Sequence, residues 1–418
     1  MIAPTNSHTD HRIVRLKEAL AAGDPGALDD FWKTVEADGS PLMQPMEGEE
    51  GRTLATFLWR DPGDTDNVLV LFYSAPTQDG FDEYLFERIP GTDVFYKAYI
   101  LPSDLRTTYL LSVNDPLEPT EKYSDVMARI PFYRRDPLNP REVTILDDLV
   151  VSVLELPDAP KQPWNIARRG VPKGKNHMHI LDSEILKTQH HVSVYVPPGY
   201  STDGDKYNVF VLFDGWSYFS FAATPTVLDN LLYAGRIDPF ILVMHSNMDQ
   251  AVRATELPCY EPFAEFLEQE MMPFLRENYH ISDDPAKAYV GGSCYGGLAA
   301  AYVGFKLPHV FGNVISQSGS FWWPEPTTPD VEMEWLTRQF AESPKLPVRF
   351  SMEVGSLEAA IAEFDQLATN RKLRDVLLEK GYEVHYNEYT GGHDMITWRG
   401  TLVQRLLALA GKKPKPKS

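Results

Sequence analysis

A chain of 418 residues is long enough for two domains and a large core. Its 43% hydrophobic and 12% aromatic content describes a folded, soluble protein, and a net charge of -20 argues against nucleic acid and anionic membranes as partners. No apolar run is long enough to cross a bilayer, and no signal peptide is visible at Met1 to Thr5. Two cysteines, Cys259 and Cys294, do not make a disulfide framework, so a cytoplasmic, reducing location is expected, one that keeps a thiol usable. The residues call for no cofactor. The expected partner is a small molecule, and a homodimer is left open.

In chain order, the periodicity predicts helix from about Asp10 to Glu36, with Ile13, Leu16, Ala19 and Leu20 on one face and Leu28, Phe31 and Trp32 following. Short strands then take over at Leu54–Trp59, Val68–Tyr73, Val94–Tyr99 and Thr107–Val113. They are rich in β-branched and aromatic residues and separated by Pro, Gly and Asp turns. That spacing predicts an antiparallel sandwich. Leu156 to Pro163, with its three prolines, reads as the linker. Beyond it, strands at Val192–Val196, Asn208–Phe213, Phe240–Met244, Ala288–Gly292, Asn313–Ser316, Val348–Val354 and Glu383–Glu388 alternate with helical stretches, one of them through Phe263–Glu270. This alternation predicts a mostly parallel sheet flanked by helices. The expected domains are 1–155, 165–411 and a disordered basic tail at 412–418.

The stretch from Ala288 to Ala300 reads as strand, sharp turn, helix. Its centre, Gly292-Ser293-Cys294-Tyr295-Gly296, fits the elbow pattern in which a nucleophile stands between glycines because strand and helix pass too close for side chains. Cys294 is the expected nucleophile. Choosing Ser293 would put Tyr295 where the second small residue is needed. In α/β-hydrolases the acid and then the histidine follow the nucleophile along the chain. Of the later histidines, His309 lies after the elbow helix and His385 within a predicted strand, whereas His393 sits in a glycine-flanked loop after the last strand and is the expected base. Glu358, just past the preceding strand, is the expected acid, ahead of Asp365. Asp394 is expected to hydrogen-bond within the loop. The oxyanion hole needs two backbone N–H groups: Tyr295 after the nucleophile, and Trp216, with Gly215 second, from the loop after Phe213. Asp214 is expected to tie that loop down.

Several strings are more specific than the elbow: Leu212 to Gly215, Glu256 to Cys259, Ser316 to Pro324, and Gly391 to Asp394 with Trp398-Arg399-Gly400. With Thr56 to Asp61, Gly91 to Val94 and Asp136 to Pro140 in the first half, they make nearly the whole chain resemble the enterochelin (enterobactin) esterases, cytoplasmic α/β-hydrolases of the esterase-D type. The resemblance implies a sandwich-like N-terminal domain that helps to shape the substrate site, and hydrolysis of siderophore esters to release iron. That family carries serine at the position matching Cys294. The cysteine is therefore a natural catalytic residue forming a thioester, an engineered substitution, or the mark of a relative that binds without hydrolysing. A thioester also opens acyl transfer to an amine or alcohol as an alternative.

An anionic ferric catecholate needs cations, for which Arg253 and Arg399 are expected, with Arg168, Arg169, Lys173 and Lys175 read mainly as solvated charges. Trp216, Phe321, Trp322 and Trp398 either wall an aromatic acyl pocket or pack a core. His177, His179, His190 and His191 invite a metal reading, but strand alternation sends His190 and His191 to opposite faces, and no metal is expected.

Overall fold

The computed structural model describes residues 3–4, 8–72, 81–118, 128–145, 149–324, 333–359 and 364–412. Contacts divide the chain into two compact units. One holds Met1–Pro160 with Leu357–Phe364 and Thr390–Ile396; the other holds Lys161–Ser356, Asp365–Tyr389 and Thr397–Ser418.

The first unit is an antiparallel β-sandwich. One sheet runs Ala3–Pro4, Val94–Pro102, Arg52–Arg60, Leu42–Pro45, and the other Val68–Phe72, Arg106–Val113, Leu149–Glu155, Glu142–Ile145. Period-two alternation decides what each strand does. Along Val94–Pro102, Phe95, Tyr99 and Leu101 enter the cluster between the sheets, whereas Val94 and Tyr96 turn to the other face. There they meet Ile13, Leu16, Phe31, Trp32 and Val35 from the helices His11–Ala21 and Ala27–Asp38. Both faces of this strand are thus buried, which is why it reads as an almost unbroken apolar run. Inside the sandwich, Phe57 lies edge-on to Phe72, Tyr99 and Tyr109 with centroids 4.9–5.9 Å apart. Burying one such ring contributes about 1.5–3 kcal/mol.

The predicted linker is partly docked. After the Glu155–Arg106 pair, the Leu156 N–H donates to the Leu105 carbonyl and the Asp158 N–H to Ser103, while Leu156 and Ala159 are buried. Apolar side chains spaced among the prolines hold this stretch against its own sheet. Tyr73, expected to end a strand, lies outside the described residues, as do residues 413–418 of the expected disordered tail. Lys412, its first residue, is tied down by its N–H to the Arg236 carbonyl and by its ammonium to Asp238.

The second unit carries an eight-stranded sheet in the order Lys175–Asp182, Gln189–Val196, Phe240–Ser246, Asn208–Leu212, Ala288–Ser293, Asn313–Gln317, Arg349–Gly355, Val384–Tyr389. The first two strands pair antiparallel with their neighbours and the rest are parallel. Val209, Phe210, Val211 and Leu212 are all fully buried, as a central parallel strand requires. The helix predicted through Phe263–Glu270 runs without interruption from Glu261 to Asn278, with a π-turn over Leu267–Met271 between Glu261–Phe266 and Met272–Asn278. Pro273 has no N–H to continue the ladder, and its ring excludes the normal spacing behind it. No helix of the described residues is long and apolar enough to cross a membrane.

Under the antiparallel edge, His190 and His245 stack with centroids 5.1 Å apart and share a 3.0 Å hydrogen bond between Nδ1 and Nε2. Burial, opposed by Glu270, pushes His190 down to about 4. The unfolded imidazole takes up a proton near pH 6.5 that the folded one refuses. The stability tied to the neutral pair is therefore whole above that pH and is lost as pH falls toward 4. Urea unfolding at pH 7 and pH 5 is expected to show a loss of about 1–2 kcal/mol, reduced in His190→Asn. A stability indifferent to pH across this range would refute the assignment.

Candidate active site

The elbow is built by sterics. The Ala288–Ser293 strand ends in Cys294, whose backbone adopts φ 56° and ψ -122°, and the helix Tyr295–Lys306 begins at the next residue. A Cβ on Gly292 would lie 2.7 Å from the backbone of Gly296, and one on Gly296 would lie 3.0 Å from Asp214 Oδ2. A side chain cannot fit at Gly292, and one at Gly296 would have to push back the Asp214 carboxylate. The cost of the left-handed backbone at Cys294, about 1–3 kcal/mol, is met by three backbone bonds. Its N–H donates to Gln317, and its carbonyl accepts from Leu298 and Ser320. Cys294 is half-buried, and its sulfur lies 3.6 Å from Ser320 Oγ. Cys259, by contrast, is buried, and burial pushes its thiol up out of the reactive range.

Tyr295 opens the helix, where first-turn N–H groups are not used by the helix's own carbonyls. Trp216, the expected second oxyanion donor, spends its N–H on Ser246 Oγ at 2.7 Å. Ser246 ends the neighbouring Phe240–Ser246 strand, so its hydroxyl is delivered to that amide. This corrects the expectation for Trp216. Asp214 does tie its loop down: its carbonyl accepts from Ser217 and Tyr218, and its carboxylate takes Arg253 Nε and Nη2 at 2.5 and 2.7 Å. Arg253, expected as an open cation for substrate, is thus engaged by a carboxylate, with its guanidinium 5.4 Å from the Tyr295 ring centroid.

Glu358 and His393 are brought together. His393 Nδ1 lies 2.6 Å from Glu358 Oε2, with the Glu358 side chain 1% exposed. Glu358 comes three residues after the Arg349–Gly355 strand, and His393 four after Val384–Tyr389. Asp394 secures the loop, accepting from Thr107 Oγ1 at 2.8 Å and from the Thr108 N–H at 3.0 Å. The other histidines have different partners. His309 pairs with Glu268 on the surface, and His385 lies 3.1 Å from Glu383. Asp365 caps the helix Gln366–Glu379 through the Ala368 N–H.

Residues 183–409, more than half the chain, match the family model described as "Putative esterase", and residues 54–165 match "Enterochelin esterase, N-terminal". The chain belongs to the enterochelin esterase family. It is similar to an iron(III) enterobactin esterase of Dickeya dadantii, 29% identical over 89% of this chain and 91% of that one. It is likewise similar to an iron(III) salmochelin esterase of Escherichia coli, 27% identical over 96% and 98%. Among solved structures, the ferric enterobactin esterase of Salmonella typhimurium superimposes with a TM-score of 0.75 at 26% identity, covering 91% of this chain and 98% of that one. That of Shigella flexneri, determined in the presence of enterobactin, gives 0.74 at 27%, covering 91% and 97%. The protein is a carboxylic ester hydrolase of the enterobactin esterase type.

The esterase's aromatic residues divide by burial. Phe321 is 1% exposed and belongs to the core cluster of the second unit, and Trp398, 5% exposed, donates its indole N–H to Ser318 Oγ and Tyr389 Oη. Of the two alternatives left open for them, wall of an acyl pocket or core, their burial and hydrogen bonds are those of packed residues. Trp322 is half-buried and meets Tyr295 and Trp323, while Trp216 is 65% exposed. Arg399 is engaged by Gln162 and by the face of Phe221, which accounts for it without substrate. The sequence reading missed the Thr107–Asp394 anchor, the Ser246 contact and the Asp214–Arg253 pair. Only the last left a trace, in two charged residues flanking matched strings.

Proposed function

We propose that this esterase hydrolyses the ester bonds of an iron-carrying catechol siderophore of the enterobactin and salmochelin kind through a thioester on Cys294, with His393 as base and Glu358 as orienting acid. The observation that carries the reading is Cys294 itself, held at positive φ in the glycine-flanked turn that presents a nucleophile. The His393–Glu358 pair supports it, as does the chain order of nucleophile, acid and histidine. The relatives' names supply the substrate class.

In the first step His393 takes the proton of the Cys294 thiol, the sulfur attacks the ester carbonyl carbon and a C–S bond forms. The carbonyl π electrons move onto oxygen, where the Tyr295 N–H and, with Trp216 committed elsewhere, the Gly215 N–H receive the charge. Collapse breaks the C–O bond, and the departing alkoxide takes a proton from the His393 imidazolium. Water then gives a proton to His393 and attacks the thioester carbon; the C–S bond breaks, the acid is released and the Cys294 sulfur takes the proton back from His393. Glu358 keeps Nδ1 as the donor, so that Nε2 exchanges the proton.

Intact-mass spectrometry during turnover of a chromogenic aryl ester is expected to show one acyl group, mapped to the Cys294 peptide on the sulfur. An adduct on Ser293 or Ser320 would overturn the assignment.

A further inference from the structure

We propose that the Ser320 hydroxyl is a further catalytic group of this esterase, donating a hydrogen bond to the Cys294 sulfur and stabilising the thiolate that attacks the ester. The inference rests on Cys294 as the nucleophile and concerns what steadies its charge. Ser320 Oγ lies 3.6 Å from the sulfur, within reach of an O–H···S bond. Ser320 is 1% exposed, so solvent does not serve its hydroxyl, and the sulfur is its partner across the elbow. While the sulfur keeps its proton, either atom can donate. Once the proton has gone, the sulfur can only accept, and the hydroxyl turns its hydrogen toward it. A hydrogen bond to an ionised partner is about twice as strong as one between neutral groups, so the contact tightens as charge appears on sulfur.

The loop that carries Ser320 is built to hold this distance. It follows the Asn313–Gln317 strand and returns to the elbow. The Cys294 N–H donates to the Gln317 carbonyl at 3.0 Å, and the Ser320 N–H donates to the Cys294 carbonyl at 3.2 Å, so the backbone of the nucleophile is tied to both ends of the loop. The helix Gln366–Glu379 fixes the middle. Gln366 Nε2 donates to the Ser318 and Gly319 carbonyls, and Asn370 Nδ2 donates to Gly319 at 2.8 Å. Both amide side chains are buried. The charged groups packed around the elbow are engaged with one another. Asp214 and Arg253 hold each other at 2.5 and 2.7 Å, and Glu353, on the strand beside Asn313–Gln317, accepts from Gln317 and pairs with Arg405. The hydroxyl acts as a neutral donor and keeps its own proton throughout. His393 takes the thiol proton, and Ser320 steadies the charge left behind.

The experiment is the pH dependence of alkylation of the full-length protein by iodoacetamide, read by mass spectrometry on the Cys294 peptide. The thiolate displaces iodide and forms the thioether, so the midpoint of the rate reports its ionisation, and no ester chemistry is involved. Ser320→Ala removes one oxygen and leaves the backbone bonds of the loop in place. Losing one hydrogen bond to a charged group is expected to move the midpoint up by about one pH unit. A more basic thiolate is also more nucleophilic, by about threefold for that change. The variant should therefore react about threefold more slowly than the native protein well below the midpoint, and about threefold faster on the alkaline plateau. A loop that had merely loosened would change the rate in one direction at every pH and leave the midpoint where it was, and that result would overturn the proposal. Ser320→Ala in a His393→Ala background should show the same rise. A midpoint that no longer moves there would assign the effect to the imidazole and overturn the proposal as well. Failure of the reading beneath it would appear separately, as an acyl adduct on a residue other than Cys294 during turnover.

Discussion

Cys294→Ala is expected to lower ester turnover by about 10⁵-fold with little change in the thermal unfolding curve. Alanine keeps the Cβ at φ 56°, so it inherits the same backbone strain and the same three backbone bonds that cysteine has there. Cys294 lies outside the fully buried core and the substitution removes a single atom, so it opens no large core cavity. What disappears is the atom that forms the covalent intermediate. The remaining rate comes from substrate positioning and from the N–H groups at the start of the elbow helix, which in hydrolases of this type still give about 10³–10⁴-fold over water. Initial rates on a siderophore ester, with circular dichroism on the same sample, check it, and a variant with full turnover would eliminate Cys294 as nucleophile. Cys294→Ser is the informative companion. A serine hydroxyl is not ionised at neutral pH, so its residual hydrolysis should depend on His393 for the attack itself.

How much of this was legible depends on whether the physical constraint acts within one short window. The elbow was legible because its constraint is local. Gly292 and Gly296 are glycines because their backbones meet each other and Asp214, and that collision is written four residues apart. The central strand Asn208–Leu212 was legible because burial on both faces forces a continuous apolar run. Lys175–Asp182 was not, because this edge strand is mostly exposed. Its polar–apolar alternation puts Met178 and Ile180 out in solvent while His179 and Leu181 turn inward, so the pattern marks no core face, and its place is set by pairing with Gln189–Val196. Glu358 and His393 were found through chain order and loop position rather than through any local pattern. The Thr108–Asp394 bond spans 286 positions and had no signature at all, since a threonine inside a strand looks like any strand residue. Arg253 was visible as a cation but misread, because a charge flanking a family string gives no sign of the carboxylate that engages it 39 residues earlier.

His393→Ala is expected to split the two halves of the reaction. Deacylation needs a base to take a proton from water, and removing the imidazole should slow it by about 10³–10⁴-fold, within the range for general acid–base catalysis. Acylation by an activated aryl ester asks for less. Its phenolate leaves without a proton, and the small fraction of thiol that is ionised at neutral pH attacks without losing one. The variant should therefore release one equivalent of phenolate in a burst and then stall as the acyl-enzyme, visible as a stable mass increase on Cys294. An oxygen nucleophile with no ionising partner would lose both steps together and show no burst. Glu358→Gln should fall between the variant and the native protein, slower by about 10²–10⁴-fold. The amide can still accept the Nδ1–H bond that the carboxylate accepts at 2.6 Å, but it supplies no charge to balance the imidazolium. Stopped-flow release of the phenolate measures burst and steady state in one trace. A His393→Ala protein whose burst is lost in proportion to its turnover would remove the imidazole's separate role in deacylation.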